Sequence, residues 1–342
     1  MVAAQDGIVV MDLAQLANWV PIRIYWQDFR PMVDWCYRGT QRFHEPFFDE
    51  TIESCLRHPF NLLFRHQTPI DVLSDLQDAQ PGLHPSGFIF HMSRCGSTLI
   101  AQMLAALPQN IVISEADPID TVLCTNRRDP RVTDEQRVVW LRGLISALGR
   151  PSNPEERHLF IKFDSWSVLD LPLLRRAFPS TPWLFVYRDP VEVLVSHARQ
   201  RGKQMLPGIL EPALLGLEPG EINPALLDEY CAKVLGRFCQ AAVQYHGSNA
   251  GAINYRELPE AVWSSLAQFF GICYTAEEVE RMRAVTRYHA KQPRTIFAED
   301  SAGKQQLATS EIRALAEQFV RPWYDQLEAL SNTEGVIFVE EL

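Results

Sequence analysis

Beyond residue 86 the chain alternates between two hydrophobic patterns. GFIF (87–90), NIVIS (110–114), HLFIKF (158–163), WLFVYR (183–188) and GAINY (251–255) are short apolar runs. They are too short for helices and lack in-out alternation, which predicts strands buried on both faces. Between them the apolar residues recur at helical spacing. TLIAQMLAAL (98–107) sets Leu99, Met103 and Leu107 on one face, and DEQRVVWLRGLISAL (134–148) is amphipathic, with Thr133 or Asp134 as its cap. Further helices are expected from Leu169 to Ala177, from Pro190 to about Arg201, and over 226–246, 259–270, 275–286 and about 309–330. Strands alternating with helices predict an α/β fold: a central parallel sheet covered by helices on both faces.

Four stretches fall outside this alternation. Residues 1–86 are rich in aromatics (Trp19, Tyr25, Trp26, Phe29, Trp35, Tyr37, Phe43, Phe47, Phe48) and close on the turn-prone AQPGLHPSG (79–87). They are read as a helical or mixed extension packed on a main domain of 87–330. Residues 202–225 are dense in Pro and Gly and are expected to form a mobile loop or lid. Residues 288–306 look like a polar loop, and 331–342 like a C-terminal tail.

With 342 residues, 46% of them hydrophobic, the chain can bury a large core. The net charge of -10 and the lack of a basic stripe argue against nucleic acid as a partner, while a few local Arg and Lys still suit an anionic small ligand. Seven scattered cysteines without C-x-x-C spacing read as reduced thiols of a cytoplasmic protein. The N-terminus has no basic region ahead of an apolar one, and no run reaches 18 apolar residues, so neither a signal peptide nor a membrane span is expected. The aromatic N-terminal region and the C-terminal helix leave room for a homodimer.

The first candidate site is the loop HMSRCGS between the strand at 87–90 and the following helix. Strand, tight loop and helix N-terminus bind phosphates, because the helix end offers unpaired N–H groups and a partial positive charge. Gly96 admits an anion close to the backbone, Ser97 and Thr98 add hydroxyl donors, and Arg94 adds a forked cation. The loop is not a Walker A motif, since Ser97 stands where its lysine would be. The second candidate is WLFVYRDPVEVLVS (183–196). Here Arg188 ends a strand, Pro190 opens a helix, and Ser196 follows Arg188 by two turns. Both side chains are positioned to face one phosphate at the sheet's C-terminal edge.

F-x-x-SRCGSTL resembles the 5'-phosphosulfate loop of the PAPS-dependent sulfotransferase family, in the form with Arg in place of Lys found in tyrosylprotein and many bacterial members. R-D-P-x-E-x-x-x-S, placed 94 residues after Arg94, resembles the family's 3'-phosphate motif. The resemblance covers roughly residues 87–305. It implies a P-loop-type three-layer sandwich, PAPS as co-substrate and PAP as product, no required metal, and a small-molecule acceptor hydroxyl. It further implies that Ser93, Arg94, Cys95, Gly96, Ser97 and Thr98 hold the 5'-phosphosulfate, and that Arg188 and Ser196 hold the 3'-phosphate.

In-line sulfuryl transfer needs stabilisation of charge on the leaving oxygen and a base for the acceptor proton. Glu115, in VISEADP at the end of the second strand, sits beside the donor loop and matches the family's general base, with Asp117 and Asp120 as rivals. Lys162 ends the third strand in FIKFD, and the resemblance puts it near the sulfuryl group, with Arg94, on the bridging oxygen. A salt bridge to Glu115 or Asp164 is the structural alternative, because a buried lysine needs a partner. The Pro of the family's K-[DS]-P pattern is absent. In NYREL (254–258) Tyr255 matches the family's Y-E-x-L element and points to the adenine side, although Arg256 replaces its Glu; a packed strand Tyr explains it equally. HAKQPRTIFAEDSAGK (289–304) stands at the place of the donor-covering loop, without the family's R-K-G-x-x-G-D-W form, and offers Lys291, Arg294 and Lys304 to the 3'-phosphate. His91, His197 and His289 read as structural. The apolar run MLPGILEPALLGLEPG fits a lipid-like or natural-product alcohol, and loop packing explains it as well. Two other functions fit the same motifs in part: an ATP-dependent kinase, disfavoured by the missing loop lysine, and a catalytically silent PAP-binding protein.

Overall fold

The computed structural model describes residues 13–296 and 300–334. The N-terminal part forms a three-stranded antiparallel sheet of β1 (Trp19–Gln27), β2 (Arg30–Tyr37) and β3 (His66–Pro69). Asp28 and Phe29 join β1 to β2 with φ of 47° and 63°, the left-handed pair that a two-residue hairpin requires. Helices Phe48–Leu56 and Pro59–Leu63 lie between β2 and β3. The Trp35 indole N–H donates to Thr68 Oγ1 at 2.9 Å, tying β2 to β3 from inside the core. This part is therefore mixed rather than helical, and its core residues join the same buried cluster as those of the main sheet.

Five parallel strands build that sheet: β4 (Pro85–His91), β5 (Asn110–Ser114), β6 (His158–Lys162), β7 (Trp183–Tyr187) and β8 (Ala250–Asn254), in the order β5-β6-β4-β7-β8. Every residue of β5 and β7 is buried, on odd and even positions alike. Both faces are thus covered, as the unbroken apolar runs require. Helix Asp134–Leu148 begins with a capping box between Thr133 and Gln136 and packs against helices Val72–Ala79, Asp117–Leu123 and Leu171–Ala177. Helices Pro190–Arg199 and Leu227–Gln244 pack against each other and against the C-terminal helices.

The C-terminal helix is not one regular rod. It runs through Ser310–Leu315, a π turn at Ala316–Val320, and Arg321–Glu334. The π turn lies on helix Leu227–Gln244, where Gly236 leaves room for the Phe319 carbonyl; a Cβ at Gly236 would sit 2.3 Å from that oxygen. The 259–270 helix divides into Glu260–Trp263 and Ser265–Phe269. Residues 202–225 hold three 3-10 turns anchored by buried Met205, Leu215 and Leu217. In place of a polar loop, 288–306 contains a hairpin of β9 (Tyr288–His289) and β10 (Gln292–Ile296), then helix Ser301–Leu307. Polar contacts rather than apolar periodicity dock that helix, so the hydrophobic pattern carries no trace of it.

Candidate active site

Parallel pairing brings the candidate residues together. β4 lies between β6 and β7, with Ile89 opposite Lys162 and His91 opposite Val186, while Ser114 on β5 stands opposite Lys162. The residues just past the ends of four neighbouring strands therefore share one edge. They are the loop after His91, Glu115, Lys162 with Asp164, and Arg188. The chain leaves β4 toward β5 on one side and later crosses to β7 on the other, so the edge is a topological switch point, where open α/β sheets bind ligands.

A cavity of about 650 Å³ opens there. Ser93, Arg94, Cys95, Gly96, Ser97, Thr98, Glu115, Arg188, Ser196 and Tyr255 all line it. Lys162 lies just behind its wall, fully buried. In the loop, Ser93, Arg94 and Gly96 have φ of 79°, 52° and 90°, which curls the backbone toward the N-terminus of helix Ser97–Ala105. Glycine is needed at 96, because a Cβ would come within 2.7 Å of Tyr255 and 2.8 Å of Leu258. Arg94 donates to the Gln200 carbonyl at 2.8 Å. The Cys95 thiol turns into the core and donates to the Val186 carbonyl at 3.0 Å, which leaves only its backbone for a ligand.

The second basic pole is built differently. Arg188 is 5% exposed and stacks over the Tyr255 ring at 3.9 Å. Its Nε donates to Glu192 at 2.6 Å, and its Nη2 donates to Asp300 at 2.8 Å and to Ser301 Oγ at 2.9 Å. Lys304 pairs with the same Asp300 at 2.8 Å, and Asp300 and Lys304 both line the cavity. Lys291 lines it too, 5.4 Å from the centre of the Phe47 ring. The side chain of Arg294 lies outside the described residues.

On the side of β4 away from Arg188, at the ends of β5 and β6, stands a polar cluster. The Lys162 ammonium donates to Glu115 Oε1, and His91 Nε2 is 3.4 Å from the same oxygen. The Ser93 N–H donates to His91 Nδ1 at 3.0 Å, so the ring proton is on Nε2, 3.1 Å from the Phe163 carbonyl. Burial, with the Lys162 charge beside it, pushes the His91 pKa down to about 4, so the ring is neutral at pH 7. Burial alone would raise Glu115, but the Lys162 charge and His91 outweigh it and hold this carboxylate below its usual range. Of the two ion pairs open to Lys162 in the sequence, the structure forms the one with Glu115. Asp120 accepts from the Trp166 indole at 2.5 Å, and neither it nor Asp117 lines the cavity.

Sequence reasoning missed several members of this wall. Asp164 and Trp166 line it beyond the β6 strand, and Lys203 and Gln204 enter it from the 202–225 segment. Gln204 donates to both Ser93 Oγ and Ser165 Oγ, each at 3.2 Å. Asp164 stands in FIKFD beside a residue that had been singled out, whereas Gln204 carries no pattern that would mark it. Among the described residues no three His, Cys, Asp or Glu side chains gather as a metal site, and no helix is long and apolar enough to cross a membrane.

The chain matches no family model and no curated protein. Among solved structures it is similar to the sulfotransferase domain from the curacin biosynthetic pathway, at 21% identity over 70% of this chain and 97% of that one, with a TM-score of 0.43. It is similar to sulfotransferase STF9 from Mycobacterium avium, at 15% identity over 79% and 82% of the two chains, with a TM-score of 0.44. Mouse sulfotransferase SULT7A1 complexed with PAP aligns at 14% identity over 78% and 90%, with a TM-score of 0.37. All three are sulfotransferases. At these identities and scores the functional reading rests on the cavity's own residues.

Proposed function

We propose that the protein is a sulfotransferase that moves a sulfuryl group from PAPS to the hydroxyl of a small-molecule acceptor and releases PAP. One observation carries this reading: a single cavity is lined both by the loop and helix N-terminus of 93–98 and by Arg188, Ser196 and Lys304. A donor with a phosphosulfate at one end and a 3'-phosphate at the other uses both. ATP has no 3'-phosphate to displace Asp300 from Arg188.

In this reading the N–H groups and hydroxyls at Gly96, Ser97 and Thr98 hold the 5'-phosphosulfate, with Arg94 beside them. Arg94 and Lys162 stabilise the negative charge that grows on the bridging oxygen as the S–O bond breaks. Tyr255, held flat by Arg188, serves the adenine end. The 3'-phosphate takes the place of the Asp300 carboxylate on Arg188 and gains Lys304 and Ser196. The acceptor lies on the opposite wall, among Trp166, Lys203 and the carboxylates. Its hydroxyl loses a proton to one of them, and the reaction needs no metal.

Calorimetric titration with PAP, 5'-AMP and ATP tests the donor assignment. PAP is expected to bind more tightly than 5'-AMP, and Arg188→Ala to erase the difference, a loss of roughly 2–4 kcal/mol for a desolvated charge pair. Equal affinity for PAP and 5'-AMP in the wild type refutes it.

A further inference from the structure

Transfer to a hydroxyl releases a proton, and among the carboxyl groups near the wall where it is released are Glu115, Asp117, Asp120 and Asp164. Asp117 and Asp120 do not line the cavity, and Asp120 is occupied by Trp166. Glu115 lines it, but its Oε1 is held by the Lys162 ammonium and faced by His91. Asp164 differs from all three. It lines the cavity, it is 9% exposed, and among the described residues its carboxyl has no hydrogen-bond or ion-pair partner. Its place on the cavity lining gives the carboxyl the access to water or to an acceptor hydroxyl that a base needs.

The position of Asp164 is also fixed. It follows Lys162 by two residues at the end of β6, and its carbonyl accepts the Ser167 N–H at 3.1 Å at the start of a 3-10 turn. Its neighbour Ser165 is tied through Gln204 to Ser93 in the donor loop. These contacts fix the Asp164 backbone and tie its neighbour to the donor loop.

Resting on the sulfotransferase reading above, we infer that Asp164, rather than Glu115, takes the proton of the acceptor hydroxyl, and that Glu115 is a positioning residue for Lys162. The acceptor oxygen's lone pair forms the new O–S bond. The S–O bond to the 5'-phosphate breaks, and its electron pair stays on the phosphate oxygen of PAP. The hydroxyl proton moves to the Asp164 carboxylate, which becomes a carboxylic acid and later returns the proton to solvent. The sum is alcohol plus PAPS giving sulfate ester, PAP and one proton.

The electrostatics agree. Burial holds Asp164 well above the usual carboxylate range, with Glu115 and Asp120 adding repulsion and Lys203 and Lys162 opposing them. A base of higher pKa takes a proton more readily, provided it is ionised. Turnover should therefore fall as pH drops through a value above the ordinary carboxylate range. Glu115, held low, would give no fall there. His91 and His197, pushed down by burial to about 4 and about 3, stay neutral and cannot produce it.

The test uses the full chain with labelled PAPS and water as the probe acceptor, reading labelled sulfate between about pH 5 and 9. PAP binding is measured on the same samples. Asp164→Asn should lose about 100-fold in kcat, keep its PAP affinity and lose the acidic limb. Asp164→Glu, which retains a carboxyl, should recover the limb, and Glu115→Gln should keep it while turning over more slowly. The inference is overturned if Asp164→Asn stays within about threefold of wild type, or if the limb vanishes in Glu115→Gln and persists in Asp164→Asn. A wild type that binds PAP but releases no sulfate at any pH also overturns it, leaving the donor site intact. A wild type that does not bind PAP brings down the sulfotransferase reading itself.

Discussion

The Glu115–Lys162 pair makes a quantitative claim about what holds the site together. Lys162 is fully buried, and the Glu115 side chain is 22% exposed. Replacing Glu115 by Gln leaves a buried ammonium without a counter-charge, which costs about 3–5 kcal/mol in general. The lower end applies here, because water reaches Glu115, and the Phe47 ring 5.5 Å from Lys162 Nζ contributes about 0.5–1 kcal/mol of cation–π attraction. Replacing Lys162 by Met strands a carboxylate that is partly wet and beside a neutral His91, at about 2 kcal/mol. The double variant has no charge to strand and should cost about 2–3 kcal/mol in lost hydrogen bonds and packing, so the cycle should return a coupling of about 2–3 kcal/mol. Urea unfolding followed by fluorescence of the eight tryptophans measures each corner. Because the folded-state pKa of Glu115 is depressed, the pair's contribution is present above the unfolded value and is lost only as pH falls through the folded one. The coupling should therefore be the same at pH 6 and pH 8. Additive single effects, within about 0.5 kcal/mol, would refute the pair as a buried charge compensation.

Three further outcomes follow from the geometry. Asp300→Ala removes the carboxylate that occupies Arg188 before a ligand does. PAP affinity measured by calorimetry should rise by about fivefold, the modest figure expected for a half-exposed competitor, and weaker binding would mean that Asp300 contacts the ligand. Gly96→Ala pays about 1–2 kcal/mol for the left-handed backbone and must also displace Tyr255 and Leu258, so a lower thermal midpoint with loss of PAP binding is expected; unchanged binding would count against the loop as the phosphosulfate cradle. Asp170, pushed up by burial to about 6 and only partly offset by Arg127 at 3.8 Å, keeps its proton in the folded state between roughly pH 4 and 6. Stability should fall as pH rises through that window, by up to about 3 kcal/mol from this group, and Asp170→Asn should flatten that slope in urea titrations at each pH.

The strands of the central sheet were legible because each is a short apolar run buried on both faces, and β5 begins and ends where NIVIS does. Helix 134–148 was legible to the residue because its cap and its periodicity agree. The two candidate loops stood out because each joins a strand end to a helix start within a few residues, and the structure brings both to one cavity. The hairpin β1–β2 was not, because its turn uses Asp28 and Phe29, neither of which announces a left-handed backbone. Helix Ser301–Leu307 was hidden since it docks through Asp300, Ser301, Lys304 and Gln305 on Arg188, Glu192 and Asp189, and such contacts leave no periodic trace. Asp164 was visible as a letter in FIKFD, but its isolation is a property of three dimensions. A sequence records a carboxylate without recording that, among the described residues, no hydrogen bond holds it.

The Gln204 amide joins two hydroxyls that belong to different walls, Ser93 in the donor loop and Ser165 beside Asp164. One planar group with two donors cannot follow both partners if they move apart. A ligand that draws Ser93 toward itself either carries Ser165 with it or gives up a hydrogen bond. In the proposed reading the binding of donor and acceptor would thereby be linked, with equal strength in both directions. Because Gln204 belongs to the 202–225 segment, that segment is the third party to the exchange. Which substrate enters first is then a question about a single amide and the length of its reach.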